Sequence, residues 1–85
     1  MMQYRVVIMK PARKFIEKQP QHYQARLLKA IYRLPKEGDI KRLVGQENVY
    51  RLRVGDFRVI YTLCHDVLTV EILDVGNRGD VYLGY

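Results

Sequence analysis

The chain has 85 residues, 48% of them hydrophobic, and carries a formal net charge of +6. That length allows a single domain, residues 1–85, and the apolar content is that of a folding chain rather than a disordered one. The excess of Lys and Arg (15) over Asp and Glu (9) points to an anionic partner: nucleic acid, an acidic protein or an anionic surface. A domain this small buries only roughly 60% of the surface its unfolded chain exposes, so its own stability is modest and a bound partner adds to it. No run of about 18 apolar residues occurs, so nothing is expected to span a membrane. The stretch Met1-Met2-Gln3-Tyr4-Arg5 lacks the basic-then-apolar layout of a secretory leader. Cys64 is the single cysteine, which leaves no intrachain disulfide and no cysteine-based zinc site. It reads as core filling, and a cytoplasmic location is expected.

In chain order, the β-branched run Tyr4–Ile8 predicts a first strand. Pro11 suits a first helical position, so Pro11–Lys18 reads as a short helix with Phe15 and Ile16 inward, stopped by Pro20. Gln21–Leu34 reads as a second helix. Tyr23, Leu27, Ala30, Ile31 and Leu34 recur at helical spacing and form one apolar stripe, with Gln24, Lys29 and Arg33 on its wet side. Lys36–Gly45 reads as a polar loop holding Lys41 and Arg42. Three strands follow: Val49–Val54, Phe57–Cys64 and Val67–Val75, joined by tight turns at Gly55-Asp56 and His65-Asp66. The end from Gly76 to Tyr85 is too Gly-rich for a helix beyond one short turn. The expected fold is α+β with the order β-α-α-β-β-β: a helical hairpin packed on one face of a small, mainly antiparallel four-stranded sheet.

Alternation along those strands divides their residues. Tyr50, Leu52 and Val54 fall on one side, and Val49, Arg51 and Arg53 on the other. On the return strand Phe57, Val59, Tyr61 and Leu63 alternate with Arg58, Ile60 and Thr62. One face packs under the helices; the other presents Arg51, Arg53 and Arg58. A solvated strand face accommodates arginines too. Against that stands the crowding of Arg53 and Arg58 across the turn, where like charges repel by about 1 kcal/mol or more per pair, a cost that a bound anion relieves. Arg78, just beyond the last strand, is placed to close the patch. Tyr82 is placed either to stack on a base or to anchor the tail. His22 and His65 are the only histidines, and no carboxylate pair, phosphate-cradling Gly loop or metal-ligand cluster appears. No metal and no small-molecule cofactor is expected.

Two blocks, Tyr50-Arg51-Leu52-Arg53-Val54-Gly55-Asp56-Phe57-Arg58-Val59-Ile60-Tyr61 and Val75-Gly76-Asn77-Arg78-Gly79-Asp80-Val81-Tyr82, resemble the RelE/ParE superfamily of toxins. The opening strand, the helical hairpin and Arg42-Leu43-Val44-Gly45 match as well, so the resemblance covers essentially the whole chain. A RelE-like fold is implied. The RelE branch enters the ribosomal A site and cuts mRNA there, which inhibits translation; each toxin is held inactive by a cognate antitoxin. The ParE branch shares the fold and inhibits DNA gyrase without nuclease residues. A RelE-like reading implies metal-independent transesterification by the RNA 2′-hydroxyl. Arg51, Arg53, Arg58, Arg78 and Tyr82 match the family's catalytic positions. Lys41, Arg42 and Asn77 are implied as further RNA contacts. Two departures stand out. Arg51 and Arg53 occupy places where relatives often carry lysine, and arginine does not release its proton at physiological pH. Asn77 stands where many relatives have histidine.

Overall fold

The strand alternation expected from the sequence is the organising feature of the molecule, because it decides which side chains lie beneath the helices. The computed structural model describes residues 4–45, 47–64 and 66–77. Its elements are β1 (Arg5–Ile8), α1 (Lys10–Glu17), α2 (Gln21–Ile31), β2 (Asp39–Arg42), β3 (Val49–Val54), β4 (Phe57–Cys64) and β5 (Thr69–Asn77). One sheet holds all five strands in the order β1-β5-β4-β3-β2, with β1 parallel to β5 and the other pairs antiparallel. The fold class is the expected one, with five strands where four were expected.

The additional strand is β2, which lies within the stretch expected as a loop, Lys36–Gly45. Asp39-Ile40-Lys41-Arg42 offers a single apolar residue among three charged ones, too short an alternation to announce a strand. Its backbone instead pairs along the otherwise open edge of β3, with Ile40 opposite Leu52. Gly38 makes the approach possible: its φ is +130°, and a Cβ there would lie 2.5 Å from Leu52 Cδ1.

The helices differ from expectation only at their ends. Pro11 lies in the first turn of α1, where its missing N–H costs no helical bond. Lys18 N–H and Gln19 N–H then turn back to Phe15 O (3.2 Å) and Ile16 O (3.0 Å) and tighten the last turn. Gln24 Nε2 donates to Gln19 O at 2.7 Å and to Glu17 O at 3.3 Å, tying the two helices together. Helix α2 stops at Ile31 rather than Leu34. Arg33 and Leu34 donate instead to Ala30 O (3.2 Å) and Ile31 O (3.1 Å), a tightening that precedes Pro35, which disfavours helical backbone in the residue before it. Leu34 remains buried even so. Strand β5 begins at Thr69, two residues later than expected, because Leu68 takes a positive φ of 47° in the preceding turn.

Beneath the helices lie Leu52 and Val54 from β3, Phe57, Val59 and Tyr61 from β4, and Val70, Ile72 and Val75 from β5. Ala12 and Ile16 of α1 and Leu27 and Ile31 of α2 meet them. The expected inward residues are therefore inward, except that Tyr23 sits at the margin, exposed, with its ring edge-on to Phe57 at 5.5 Å. Tyr50 and Tyr61 stack at 5.4 Å across β3 and β4. Burial pushes the Tyr61 phenol up to about 12, with Tyr50 adding to the effect.

A register shift in the β4–β5 pairing matters most for the other face. Ile60 pairs with Asp74, whereas the next residue, Tyr61, pairs with Ile72, so Leu73 is an extra residue. Without it, Ile72 and Asp74 would point the same way. The bulge keeps Ile72 in the core and turns Asp74 and Gly76 to the open face.

Candidate nucleic-acid interface

Strand register assembles the open face in rows. Lys41, Arg51, Ile60 and Asp74 lie opposite one another across β2, β3, β4 and β5. The neighbouring row is Asp39, Arg53, Arg58 and Gly76. Arg51, Arg53 and Arg58 therefore share one face, as expected, and β2 adds Lys41 to it. A groove of about 400 Å³ opens here, and four of the six residues lining it are cations: Lys41, Arg42, Arg51 and Arg58. Leu43 and Val44 complete its wall.

Arg58 is the best-fixed of these cations. It is only 8% exposed, and its Nη1 donates to Phe57 O at 3.1 Å and to Gly55 O at 3.3 Å. The position opposite it on β5 is Gly76, which brings no side chain. Among the described residues no carboxylate pairs with Arg58. A guanidinium carries five N–H donors, so the two carbonyls leave most of its capacity unused. A charge held this far from water without a counter-ion is costly, and an incoming anion offsets that cost. Arg51 is nearly as enclosed and has one acidic neighbour, Asp39, at 3.8 Å. Asp39 is largely exposed, so the pair is weak. Sequence reading missed Asp39, since only the β2–β3 register brings it to Arg51.

Not every expected site residue joins this groove. Arg42 faces Tyr50 in register, on the helix side of the sheet, and reaches the groove from the end of the edge strand. It also lines a second cavity of about 620 Å³ with Leu43, Val44, Gly45 and Glu47. Asn77 pairs with Phe57, a core-face position, and lines a separate cavity with Tyr23, Arg26 and Asp56. Arg78 and Tyr82 lie outside the described residues. Cys64 is half-buried on the open face rather than in the core, opposite Thr69. Its thiol donates to Glu71 Oε1 at 3.6 Å; desolvation first, and that bond second, push it above the usual thiol range. It is correspondingly a poor nucleophile.

The arrangement suits phosphate. Arginines placed before a ligand arrives act on an anion without the reorganisation that water would require, and they act most on charge that builds during a reaction. The fold and site define a class: a small α+β domain with a helical hairpin on one face of its sheet and a basic face, suited to an anionic partner, on the other. Comparison with known proteins narrows that class. Residues 6–82 match the family model described as the ParE toxin of the type II toxin–antitoxin system parDE. The chain belongs to this toxin family, within the RelE/ParE superfamily. It is 44% identical over 50 residues to a Methanocaldococcus jannaschii protein assigned as toxin RelE1, a match that spans 58% of this chain and 56% of that protein. The RelE–RelB complex from Pyrococcus horikoshii superposes with a TM-score of 0.75 at 31% identity, over 93% of this chain and 99% of the other. The toxin–antitoxin complex RelBE2 from Mycobacterium tuberculosis gives 0.77 at 26% identity, over 91% and 100%. The isolated Escherichia coli RelE toxin shares the fold, with a TM-score of 0.73 at 22% identity over 93% and 90%.

Proposed function

We propose that this type II toxin is a ribosome-dependent endoribonuclease that cuts mRNA in the A site and thereby inhibits translation. The observation that carries the reading is Arg58: a nearly buried guanidinium with no described carboxylate partner, in a groove with three further cations. In this mechanism the RNA 2′-oxygen attacks the adjacent phosphorus and the bond from phosphorus to the 5′-oxygen breaks. The 2′-hydroxyl proton is lost, the 5′-oxygen gains one, and a cyclic 2′,3′-phosphate remains. Arg58 stabilises the charge on the non-bridging oxygens, with Arg78 as its partner on the same phosphate. Arg51 and Arg53 neutralise the flanking backbone, and Lys41 and Arg42 contact RNA further out; Asn77, on the helix side of the sheet, takes no part on this face. Tyr82 stacks on or orients a base, or transfers a proton. Arg51 and Arg53 stay protonated, so they act by position and charge rather than as bases. Loss of a general base typically costs about 10²–10⁴-fold, which predicts a slow enzyme. The reaction as written uses no metal and no cofactor.

The partner that holds it inactive is an antitoxin, as in the RelB-bound neighbours, acidic where it covers the arginine face and attracted by the +6 charge. The site of action is cytoplasmic. A second reading, inhibition of DNA gyrase without nuclease action, is favoured by one observation, the parDE description of the matching family.

Mapping of mRNA 5′ ends in a purified translation system separates the two. Cuts within the A-site codon, present only when ribosomes stalled with an empty A site are added, are the expected result. Intact mRNA together with inhibited gyrase supercoiling would replace the nuclease reading with the second.

A further inference from the structure

A second cationic cleft lies around the end of the sheet from the arginine groove. Helix α2 passes over the β3–β4 turn, and a cavity of about 260 Å³ opens between them. Three arginines line it: Arg26 from α2, Arg33 just past its end and Arg53 from β3. The turn residue Gly55 has a φ of +59° and no side chain, which lets the Arg26 guanidinium close over it. A Cβ at Gly55 would come within 3.1 Å of Arg26 Nη2. One carboxylate also lines the cleft, Glu37, with Oε2 at 3.8 Å from Arg33 Nε; both side chains are more than half exposed, so that pair is weak. Among the described residues Arg26 and Arg53 have no acidic partner.

The two cationic sites are neighbours along β3, which gives Arg51 to the groove and Arg53 to the cleft. Arg53 lies directly opposite Arg58 in register, and Arg51 is two residues back on the same strand. Residues so spaced lie about 7 Å apart along a strand, a step that an extended phosphodiester chain can follow. Arg51, Arg58 and Arg53 thus approach the β3–β4 turn on the open face, and Arg26 closes over the same turn from α2, with Arg33 beside it in the cleft. Cations in sequence about one turn match a polymer with one charge per unit better than they match scattered carboxylates on a protein surface.

We propose that the Arg26–Arg33–Arg53 cleft binds phosphates of single-stranded RNA that leaves the arginine groove, so that the RNA is held on both sides of the sheet end. This extends the RNA-directed reading given above and rests on it. It assigns α2, otherwise the packing element of the domain, a second role in substrate binding.

The test is binding of two fluorescent 2′-O-methyl RNA oligonucleotides, which cannot be cut, of about 4 and about 12 nucleotides, measured by anisotropy over a range of salt. Each phosphate contact contributes roughly 0.7 to the slope of log affinity against log salt for a single strand. The double variant Arg26→Ala/Arg33→Ala is expected to lower the slope for the longer RNA by about 1.4, from two lost contacts, and to leave the shorter RNA unaffected. Arg26→Gln/Arg33→Gln, which preserves the side-chain bulk over Gly55, is expected to do the same. Lys10→Ala/Lys14→Ala removes the same charge from exposed positions of α1 and is expected to leave both slopes in place. An unchanged slope in the arginine variants, or an equal loss in the lysine variant, overturns the cleft while leaving the nuclease reading intact. Equal loss for both lengths also overturns it. Failure of the longer RNA to bind the wild-type protein also overturns the cleft, while the nuclease reading stands or falls on the 5′-end mapping. Tight binding of polyglutamate that the arginine variants lose, with RNA binding unchanged, assigns the cleft to an acidic protein instead.

Discussion

The two faces of the sheet are built from alternate residues of the same strands, yet they do opposite things. Leu52, Val59 and Val75 lie in one row and are almost wholly buried beneath the helices. One residue along each strand, Arg53, Arg58 and Gly76 form the next row and face away. The covered face is held by removal of apolar surface from water, a non-directional effect that tolerates small shifts. The open face depends on charges held at fixed positions, and its key side chain, Arg58, is fixed by the backbone carbonyls of Gly55 in the turn and Phe57 at the start of β4. The contrast teaches that stability and the proposed chemistry reside on different sides of a layer one residue thick. Each should therefore be removable without the other.

The largest effect should come from Arg58→Ala. Removing a placed charge of this kind typically costs about 10²–10³-fold in rate. Ribosome-dependent mRNA scission should fall by that much, while far-ultraviolet circular dichroism and the cooperative melt persist. Loss of the fold instead would show that Arg58 is structural and would break the separation of the faces.

Leu27→Ala tests the opposite face. Leu27 is fully buried under the sheet, so the change should lower unfolding free energy by about 2–5 kcal/mol in denaturant titration. Scission per folded molecule should remain that of the wild type. A loss of rate without a loss of stability would show the two faces to be coupled.

Tyr61 sharpens the comparison through pH. Its phenol is held up at about 12 in the folded protein against an ordinary value of 10.0. Below pH 10 the phenol is neutral in both states, so its contribution to stability is complete there. Between 10 and 12 the unfolded chain releases the proton while the folded protein retains it, so stability falls as pH rises. The denaturation midpoint should drop across that interval, and Tyr61→Phe should flatten the drop.

The smallest effect belongs to Asp39→Asn. The ion pair with Arg51 at 3.8 Å is exposed on the acid side, so stability should change by less than about 1 kcal/mol. Affinity for RNA should rise and grow more sensitive to salt, because one negative charge leaves the groove. A fall in affinity would show that Asp39 positions Arg51 instead of neutralising it.

Local pattern determined much of this protein. Alternation over Val49–Val54 and Phe57–Leu63 placed those residues of β3 and β4 on their observed faces, since a strand has period two whatever surrounds it. The stripe along α2 and the turn at Gly55-Asp56 were readable for the same reason: each is a property of neighbours in sequence. Only tertiary structure decided the rest. Strand β2 exists because the edge of β3 offers unpaired backbone groups, and nothing in Asp39-Ile40-Lys41-Arg42 encodes that edge. The bulge at Leu73 turned Asp74 and Gly76 to the open face, a displacement set by pairing between strands rather than by the residues of either one. Asn77, which the sequence order places beside the arginines, went to the helix side because its partner is Phe57. Arg26, spaced like any wet residue of a helix, met Gly55 only when α2 packed across the turn. Period and turn chemistry are local and survive in the sequence; register and packing are relations between distant segments, and they take form only when the chain folds.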